Sequence, residues 1–384
     1  MSENNEIKEP LNKNYKVPKL RFKDFFNDWS SCKLSDIAES IKRKNDGKNW
    51  PLMMISASQG FINQSDRYDK DNAGTSKSKY TLIKYGELSY NHGNSKIKKY
   101  GAVFAMNNKG ALIPFVYHTF SIRKPNNPFY FAKYLNLNIH NRYLKKVISS
   151  GARMDGLLNI SLDDFFKMPI NYPSLEEQNK INDFLEKIDT KINLINDKIS
   201  ILKKYKEGFT KRLAKALNTD EIALSSICSI TTGKMDANAM NQQGKYKFFT
   251  CSREDYFIDT YAFDCEALLI SGNGEVGLTK YYNGKFNAYQ RTYVLYNLKR
   301  NAKFIKLFID LQINTIIRKE TNKGAMPYIR LTTFNKITIP NIDPSLEYLI
   351  SIAIDKIDKK IELLQNHARV LNNIKNNLLS SLFI

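Results

Sequence analysis

PSLEEQNKINDFLEKIDTKINLINDKISILKKYKEGFTKRL, Pro173–Leu213, decides the fold because its pattern occurs twice. Its apolar ladder is Ile181, Leu185, Ile188, Ile192, Ile195, Ile199, Leu202, Tyr205, Phe209 and Leu213. A second ladder is Ile350, Ile354, Ile357, Ile361, Leu364, Ala368, Leu371, Ile374, Leu378 and Leu382. An offset of 169 residues, as from Ile181 to Ile350, carries every rung onto its counterpart. Steps of three and four mark one helix face, and a mean step near 3.5 marks a coiled-coil seam. The approaches match as well: Pro169 and Pro173-Ser174-Leu175-Glu176 answer Pro340 and Pro344-Ser345-Leu346-Glu347. Ser174 with Glu177 predicts a capping box, and Ser345 a plain N-cap.

Each helix is expected to run about 40 residues, or about 60 Å. A helix that long with one apolar seam needs a partner. Equal length and register make the other copy that partner, in antiparallel pairing; two unrelated coiled coils, each dimerising with another molecule, are the alternative. The expected order is therefore globe, helix, globe, helix. Residues 1–16 are expected to be a disordered tail, 17–172 and 218–343 the globes, and 173–217 and 344–384 the helices. The fold class is mixed α+β, two tandem α/β domains with pseudo-twofold symmetry.

The globes repeat a plan. Leu34–Ile37 answers Leu224–Ile227, Glu87–Asn94 answers Glu266–Asn273, and Ser161–Pro169 answers Thr332–Pro340. Leu52–Ile55, Tyr80–Ile83, Ala102–Ala105 and Phe115–Phe120 read as strands. Phe129–Ile148 reads as one helix, answering Ala302–Arg318.

The chain of 384 residues carries 59 basic against 38 acidic side chains, a net charge of +21. A chain this basic is expected to meet a polyanion, with an anionic membrane surface as the rival. No apolar run approaches the ~18 residues of a spanning helix, and the seams suit another helix better than lipid. Cys32, Cys228, Cys251 and Cys265 form no Cys-x-x-Cys pair, which argues against zinc and for reduced thiols in a cytoplasmic protein.

A search for catalytic chemistry returns little. His92, His118, His140 and His367 are scattered, with no nucleophile motif, Walker loop or metal-spaced carboxylates. Asn127-Pro128-Phe129-Tyr130 is near the Asn-Pro-Pro-Tyr/Phe motif of adenine methyltransferases but lacks its second proline, so it reads as an N-cap with proline at the first helical position. Gly272-Asn273-Gly274-Glu275-Val276-Gly277 reads as a tight turn between strands.

Polar and basic loops are better supplied. Candidate DNA contacts are Gln59, Asn63, Gln64, Arg67, Asn91, His92, Asn94, Lys96, Lys98, Lys99 and Arg153 in the first globe. In the second they are Ser252, Arg253, Asn273, Lys280, Lys285, Gln290, Arg291, Lys323 and Arg330. Arginine and lysine reach guanine edges and phosphate, and asparagine and glutamine reach adenine. Lys198, Lys203, Lys204, Lys206, Lys211, Arg212 and Lys215 flank the first seam, where they could track a phosphate backbone or simply solvate the helix.

These features together resemble the specificity subunit of type I restriction–modification enzymes over nearly the whole chain. The opening Val17-Pro18-Lys19-Leu20-Arg21-Phe22, Trp29 and Leu34-Ser35-Asp36-Ile37 is similar to that family's start, and Pro173–Gln178 and Pro344–Glu347 to the starts of its two spacer helices. Glu347-Tyr348 departs from the Glu-Glu-Gln of the first copy. The resemblance implies two target recognition domains, each reading half of a split site on double-stranded DNA. It also implies helices that set the spacing and dock two methyltransferase subunits, joined by restriction subunits. Catalysis, S-adenosylmethionine, ATP and magnesium would then belong to the partners, with no cofactor in this chain. The alternative is a basic coiled-coil scaffold that binds DNA nonspecifically.

Overall fold

The structure, a computed structural model, describes residues 17–66, 79–93, 98–148, 158–217, 219–254, 256–321 and 326–384. The tail expected at residues 1–16 lies outside them. The chain divides into two compact units, one comprising residues up to Ile192 with Arg369–Ile384, the other Asn193–Ala368.

In the first unit β1 (Ser30–Lys33) leads through α1 (Leu34–Ile37) into β2 (Ala38–Ser40), followed by β3 (Met53–Ser56), β4 (Gly60–Asn63), β5 (Thr81–Lys84), β6 (Leu88–Asn91), β7 (Ala102–Ala105), β8 (Gly110–Ile113) and β9 (His118–Ile122). Then come α2 (Pro128–Tyr134), α3 (Asn141–Val147), α4 (Leu162–Phe166), β10 (Pro169–Tyr172) and the long α5 (Leu175–Ala216). The second unit repeats the plan with β11 (Glu221–Ala223), α6 (Leu224–Ile227), β12 (Ser229–Thr232), β13 (Tyr246–Phe249), β14 (Tyr256–Ile258), β15 (Phe263–Ser271), β16 (Thr279–Ala288), β17 (Thr292–Tyr296), α7 (Ala302–Glu320), β18 (Thr338–Pro340) and α8 (Pro344–Leu382).

The central sheets correspond strand for strand. Order β2-β9-β6-β7 in the first unit matches β12-β17-β15-β16 in the second, which β13 and β14 extend. In both units a short antiparallel pair, β1 with β10 and β11 with β18, ties the start of the globe to the strand just before its long helix. Strand β15 shows why the second sheet is buried on both faces. Leu268 and Ile270 enter the core beneath α7, while Ala267 and Leu269 enter a second cluster with Phe249, Phe286 and Val294. Alternate side chains of a strand point to opposite faces. The expected strand at Phe115–Phe120 starts later, at His118, because Phe115 sits in a turn and is exposed.

The single helix expected over Phe129–Ile148 is broken into α2 and α3. Asn127 caps α2, accepting from the N–H groups of Phe129 and Tyr130, with Pro128 at the first helical position. Just past α2 the Asn136 side chain donates to Val103 O and accepts from Val103 N in β7. His140 closes the gap, its buried ring 3.1 Å from Tyr134 O, and burial pushes its pKa down to about 4. The corresponding α7 makes the same two-bond contact, from Gln312 to the N–H and carbonyl of Thr338 in β18, and runs unbroken for 19 residues.

The long helices pair antiparallel inside each unit. Ile181 and Leu185, near the start of α5, share a core with Leu378 and Leu382 at the end of α8. Phe209 and Leu213, near the end of α5, share the other core with Ile350, Ile354 and Ile357 at the start of α8. Seam positions Ile192, Ile195, Ile199 and Ile361 are buried, and Ile188, Leu202, Leu364 and Leu371 are half-buried. Two rungs of the expected ladder are wrong. Tyr205 and Ile374 are exposed, and the seam passes instead through the next residues, Lys206 and Lys375. Lys206 pairs with Asp358 at 2.7 Å and Lys375 with Asp189 at 2.5 Å. The offset of 169 carries Lys206 to Lys375 and Asp189 to Asp358, so the departure is itself duplicated. Lys206 is thereby removed from the lysines expected to track phosphate.

A buried carboxylate anchors each helix start, at positions that are not equivalent, since the offset of 169 carries Gln178 onto Glu347. Glu177, almost wholly buried, receives Arg21 through both carboxylate oxygens, at 2.8 and 2.7 Å. Glu347, equally buried, receives Arg300 Nε at 2.8 Å and the backbone N–H of Asn301 at 3.3 Å. The expected capping box is therefore half right: Ser174 accepts from Glu177 N at 3.4 Å, but the Glu177 carboxylate serves Arg21. Ser345 is not the cap of α8. Asp343 takes that place, its carboxylate accepting from Ser345 N at 2.8 Å, with Pro344 as the first helical residue.

Two outcomes follow. Glu177→Ala or Glu347→Ala leaves a largely buried arginine unpaired and should cost roughly 3–5 kcal/mol. Removing exposed Glu207 from its pair with Lys211 should cost under about 1 kcal/mol; chemical denaturation of each variant compares them. His140 stays neutral in the fold while the unfolded chain takes up a proton near pH 6.5. Its contribution is thus present above that pH and is lost as pH falls toward 4, up to about 3 kcal/mol. His140→Gln should flatten the pH dependence of unfolding across that window.

Candidate nucleic-acid interface

In the second unit several connections converge on the turn between β15 and β16. Gly272 N donates to Arg291 O at 2.9 Å, and Ile329 N donates to Gly272 O at 3.0 Å. Glu275 N donates to Cys251 O at 3.1 Å, and Gln290 N to Met235 O at 2.9 Å. The glycines make this packing possible. A Cβ on Gly272 would stand 2.6 Å from Arg291 O, and Gly274, at φ +59°, would press one against Cys251 O. The glycine-rich hexapeptide is thus a tight turn that serves as the floor of a loop cluster.

The rim of this cluster is polar and basic. Arg253, Gln290, Arg291 and Arg330 are exposed, and Ser252 and Asn273 are half-buried among them. Arg253 Nε donates to Glu275 at 3.0 Å. Arg330 Nε donates to the Tyr328 hydroxyl at 2.9 Å, with its guanidinium 5.0 Å from that ring's centre. Lys280 lies beneath the rim, where its ammonium donates to the carbonyls of Arg253 and Glu254, both at 3.2 Å. Lys285 is not brought to the turn. It faces Asp264 at the other end of the β15–β16 ladder and lies over Tyr261.

The first unit brings β6 to the corresponding place, but several expected contacts turn inward. Asn91 Nδ2 donates to Ile55 O at 2.8 Å, and its Oδ1 accepts from Gly93 N at 3.0 Å. His92 is buried, its Nδ1 3.0 Å from Leu158 O and Nε2 2.8 Å from Val116 O, with its ring stacked on His118 at 4.6 Å. Both residues knot loops together instead of facing outward. The counterpart of the Leu158 N to His92 O bond is the bond from Ile329 to Gly272. Gln59 and Asn63 are exposed around the β3–β4 hairpin, and Gln64 donates to the Tyr80 hydroxyl at 3.2 Å. Lys98 donates to Asn136 O at 3.2 Å, and burial, reinforced by Lys375, lowers its pKa. Lys99 is exposed, its ammonium 5.7 Å from the centre of the Tyr100 ring. Arg67, Asn94, Lys96, Arg153 and Lys323 lie outside the described residues.

A basic groove escaped the sequence reading. Lys42, Arg43, Lys44 and Lys79 line it with Tyr80, Phe115 and Tyr117. Arg43 is committed to Glu87, with two 2.9 Å bonds, which leaves three exposed lysines to meet a ligand. The density of basic residues over Lys42–Lys48 was the available signal. Among the described residues no His, Cys, Asp and Glu cluster could hold a metal ion, and burial pushes the Cys228 thiol up to about 11. What these rims offer is hydrogen-bond donors and positive charge, the chemistry of phosphate and base-edge contact.

The family model for the type I restriction modification DNA specificity domain matches the chain twice, over residues 27–204 and 218–373. The two matches fall on the two copies. The EcoDI type I restriction enzyme specificity subunit of Escherichia coli is 37% identical over 142 residues, 37% of this chain and 31% of that protein. That match therefore spans about a third of the relative's length. A putative type I specificity subunit of Mycoplasma pneumoniae is 22% identical over 258 residues, covering 62% of this chain and 68% of its own. Among solved structures, the S subunit of the M. genitalium type I restriction–modification system has the same fold, with a TM-score of 0.65 at 16% identity, over 96% of this chain and 99% of that one.

Arg291 is the cleanest test of the rim, since its carbonyl holds the turn and its side chain is exposed. Arg291→Ala should weaken duplex DNA binding by roughly 1–3 kcal/mol if it reads a base, with sequence preference relaxed at one position. If it holds a phosphate, the loss should be uniform and the salt slope should fall by about one. Fluorescence anisotropy across a salt series separates the two.

Proposed function

The chain belongs to the type I restriction–modification DNA specificity family, and from that premise we propose that it is the sequence-specific duplex-binding subunit of such a complex. The observation that carries this reading is the duplication. Each unit presents a loop cluster at the same place on the same four-strand sheet, and each globe is fastened to a long helix by a buried arginine–glutamate pair. Two copies of one reading head suit a bipartite, gapped site, because each can contact its own half. The net charge of +21 supplies the sequence-independent part of the binding.

The long helices, 42 and 39 residues, act in this reading as the spacer between the halves and as docking surface for two methyltransferase subunits. Restriction subunits join the same assembly. Adenine methylation with S-adenosylmethionine, and ATP- and magnesium-dependent cleavage, belong to those partners, and this chain selects where they act. The cytoplasm, where the DNA is, is the matching location. No helix among the described residues is long and apolar enough to cross a membrane.

The competing reading is a nonspecific basic scaffold, which predicts DNA binding with a steep salt dependence and no preferred sequence. Methylation mapping in cells carrying this chain and its methyltransferase subunit decides between them. The expected result is one gapped, adenine-methylated motif that vanishes when this chain is deleted. Methylation without such a motif, from associated subunits, would favour the scaffold. Deleting one heptad from both helices, keeping Lys206 opposite Asp358 and Lys375 opposite Asp189, should shorten the unread gap and leave both half-sites intact; an unchanged gap would refute the spacer role.

A further inference from the structure

One segment of the second rim is apolar where a basic surface gives no reason for it. Met326-Pro327-Tyr328-Ile329-Arg330 crosses the edge of the loop cluster outside any helix or strand, and Leu331 opens the 3-10 turn Leu331–Lys336. Met326 is 89% exposed, Leu331 58% and Tyr328 50%. Large apolar side chains gathered on one exposed segment mark a contact surface more often than chance.

The segment is held rigidly. Ile329 is buried in the second unit's core, and its N–H donates to Gly272 O at 3.0 Å. Its carbonyl accepts from the Tyr293 hydroxyl at 3.0 Å. Two backbone bonds and one buried side chain thus fix the middle of the segment while Met326 and Tyr328 project. Arg330 steadies the Tyr328 ring through its hydroxyl. The charge around the projection is positive: Arg330 lies on the segment, and Arg291 caps the same turn through its carbonyl bond to Gly272. Arg253 belongs to the adjoining loop, reached through Glu275.

An apolar tip set among arginines fits a polyanion whose interior is apolar and stacked. A protein partner of opposite charge would match the arginines but offer no stacked interior to the exposed Tyr328 ring, which Arg330 holds through its hydroxyl. We propose that Met326 and Tyr328 form a wedge that enters a duplex base step and unstacks it, while Arg253, Arg291 and Arg330 grip the phosphates on either side. This rests on the duplex-reading function proposed above and adds deformability of one base step to what the second unit recognises. Wedging side chains favour easily unstacked pyrimidine–purine steps, so the half-site read by this unit should contain one.

The test uses the complex of this chain with its methyltransferase subunits and the gapped duplex returned by methylation mapping. 2-Aminopurine is placed at successive positions of each half, omitting the methylated adenines, whose unstacking belongs to the methyltransferase. The half that Arg291→Ala weakens identifies the one read by the second unit. Binding of the unaltered complex should raise fluorescence at one step in that half. Tyr328→Ala combined with Met326→Ala should abolish the rise and weaken that half-site by roughly tenfold. Tyr328→Phe, which keeps the ring, should retain both. A rise that survives the double substitution, or none in the unaltered complex, overturns the wedge while Arg291→Ala still certifies duplex reading. If Arg291→Ala is silent in both halves and mapping returns no motif, duplex reading fails and the wedge with it.

Discussion

Each globe is fastened to its helix by one buried carboxylate. Glu177 and Glu347 sit in the first turns of α5 and α8, where the helix N-terminus already favours negative charge. Each is then closed by an arginine in a two-point grip, a geometry that lysine cannot supply. The same arginines also reach main-chain carbonyls, Arg21 that of Asn27 and Arg300 that of Ile342. The Glu347 carboxylate therefore fixes three things at once, the start of α8, the chain leading into it and the cap of α7, whereas Glu177 ties the start of α5 to the segment that leads into β1. In the second unit the link to the neighbouring cap is direct, because Asn301, whose N–H meets Glu347, caps α7. In the first unit Gln178 takes over, accepting from Asn127 N at 2.9 Å beside the cap of α2.

This coupling explains why the helices belong to the globular cores. Ile181 and Leu185 lie in the same cluster as Tyr130 and Phe165, and Ile350 and Ile354 in the same cluster as Phe304 and Phe334. A seam that begins inside a core has its register set there and carried outward. The inter-helix ion pairs, Lys206 with Asp358 and Lys375 with Asp189, then hold the register where the apolar ladder lapses. Polar groups inside a seam serve pairing specificity better than stability. Here they occupy the same duplicated rung.

The two reading heads have diverged around a shared frame. The frame is the four-strand sheet, the short pair that ties it to the helix, and the backbone bond from Leu158 or Ile329 to the loop after β6 or β15. Outside it, the first unit adds the hairpin β3–β4 and the two-strand pair β5–β8, and the second extends its sheet with β13 and β14. Divergence is thus concentrated in the parts that border the loop clusters, where different targets would demand different side chains.

Periodicity alone determined the two long helices, their shared seam and the duplication, because a ladder of threes and fours over 40 residues is a local property of the chain. Strand β7 and the cap at Asn127 were legible for the same local reason, an apolar run between turns and a proline at the first helical position. Tertiary structure decided the rest. Nothing near Glu177 in sequence announces that its carboxylate is taken by Arg21, 156 residues away, and nothing near Tyr205 shows that the seam steps past it to Lys206. Asn91, His92 and Lys280 are polar residues in basic loops by sequence, yet the fold points them at backbone carbonyls. Lys42, Lys44 and Lys79 meet only because separate segments are folded against each other. Composition counts donors, but which of them face outward depends on backbone groups that had to be satisfied first, and those partners are chosen by the fold.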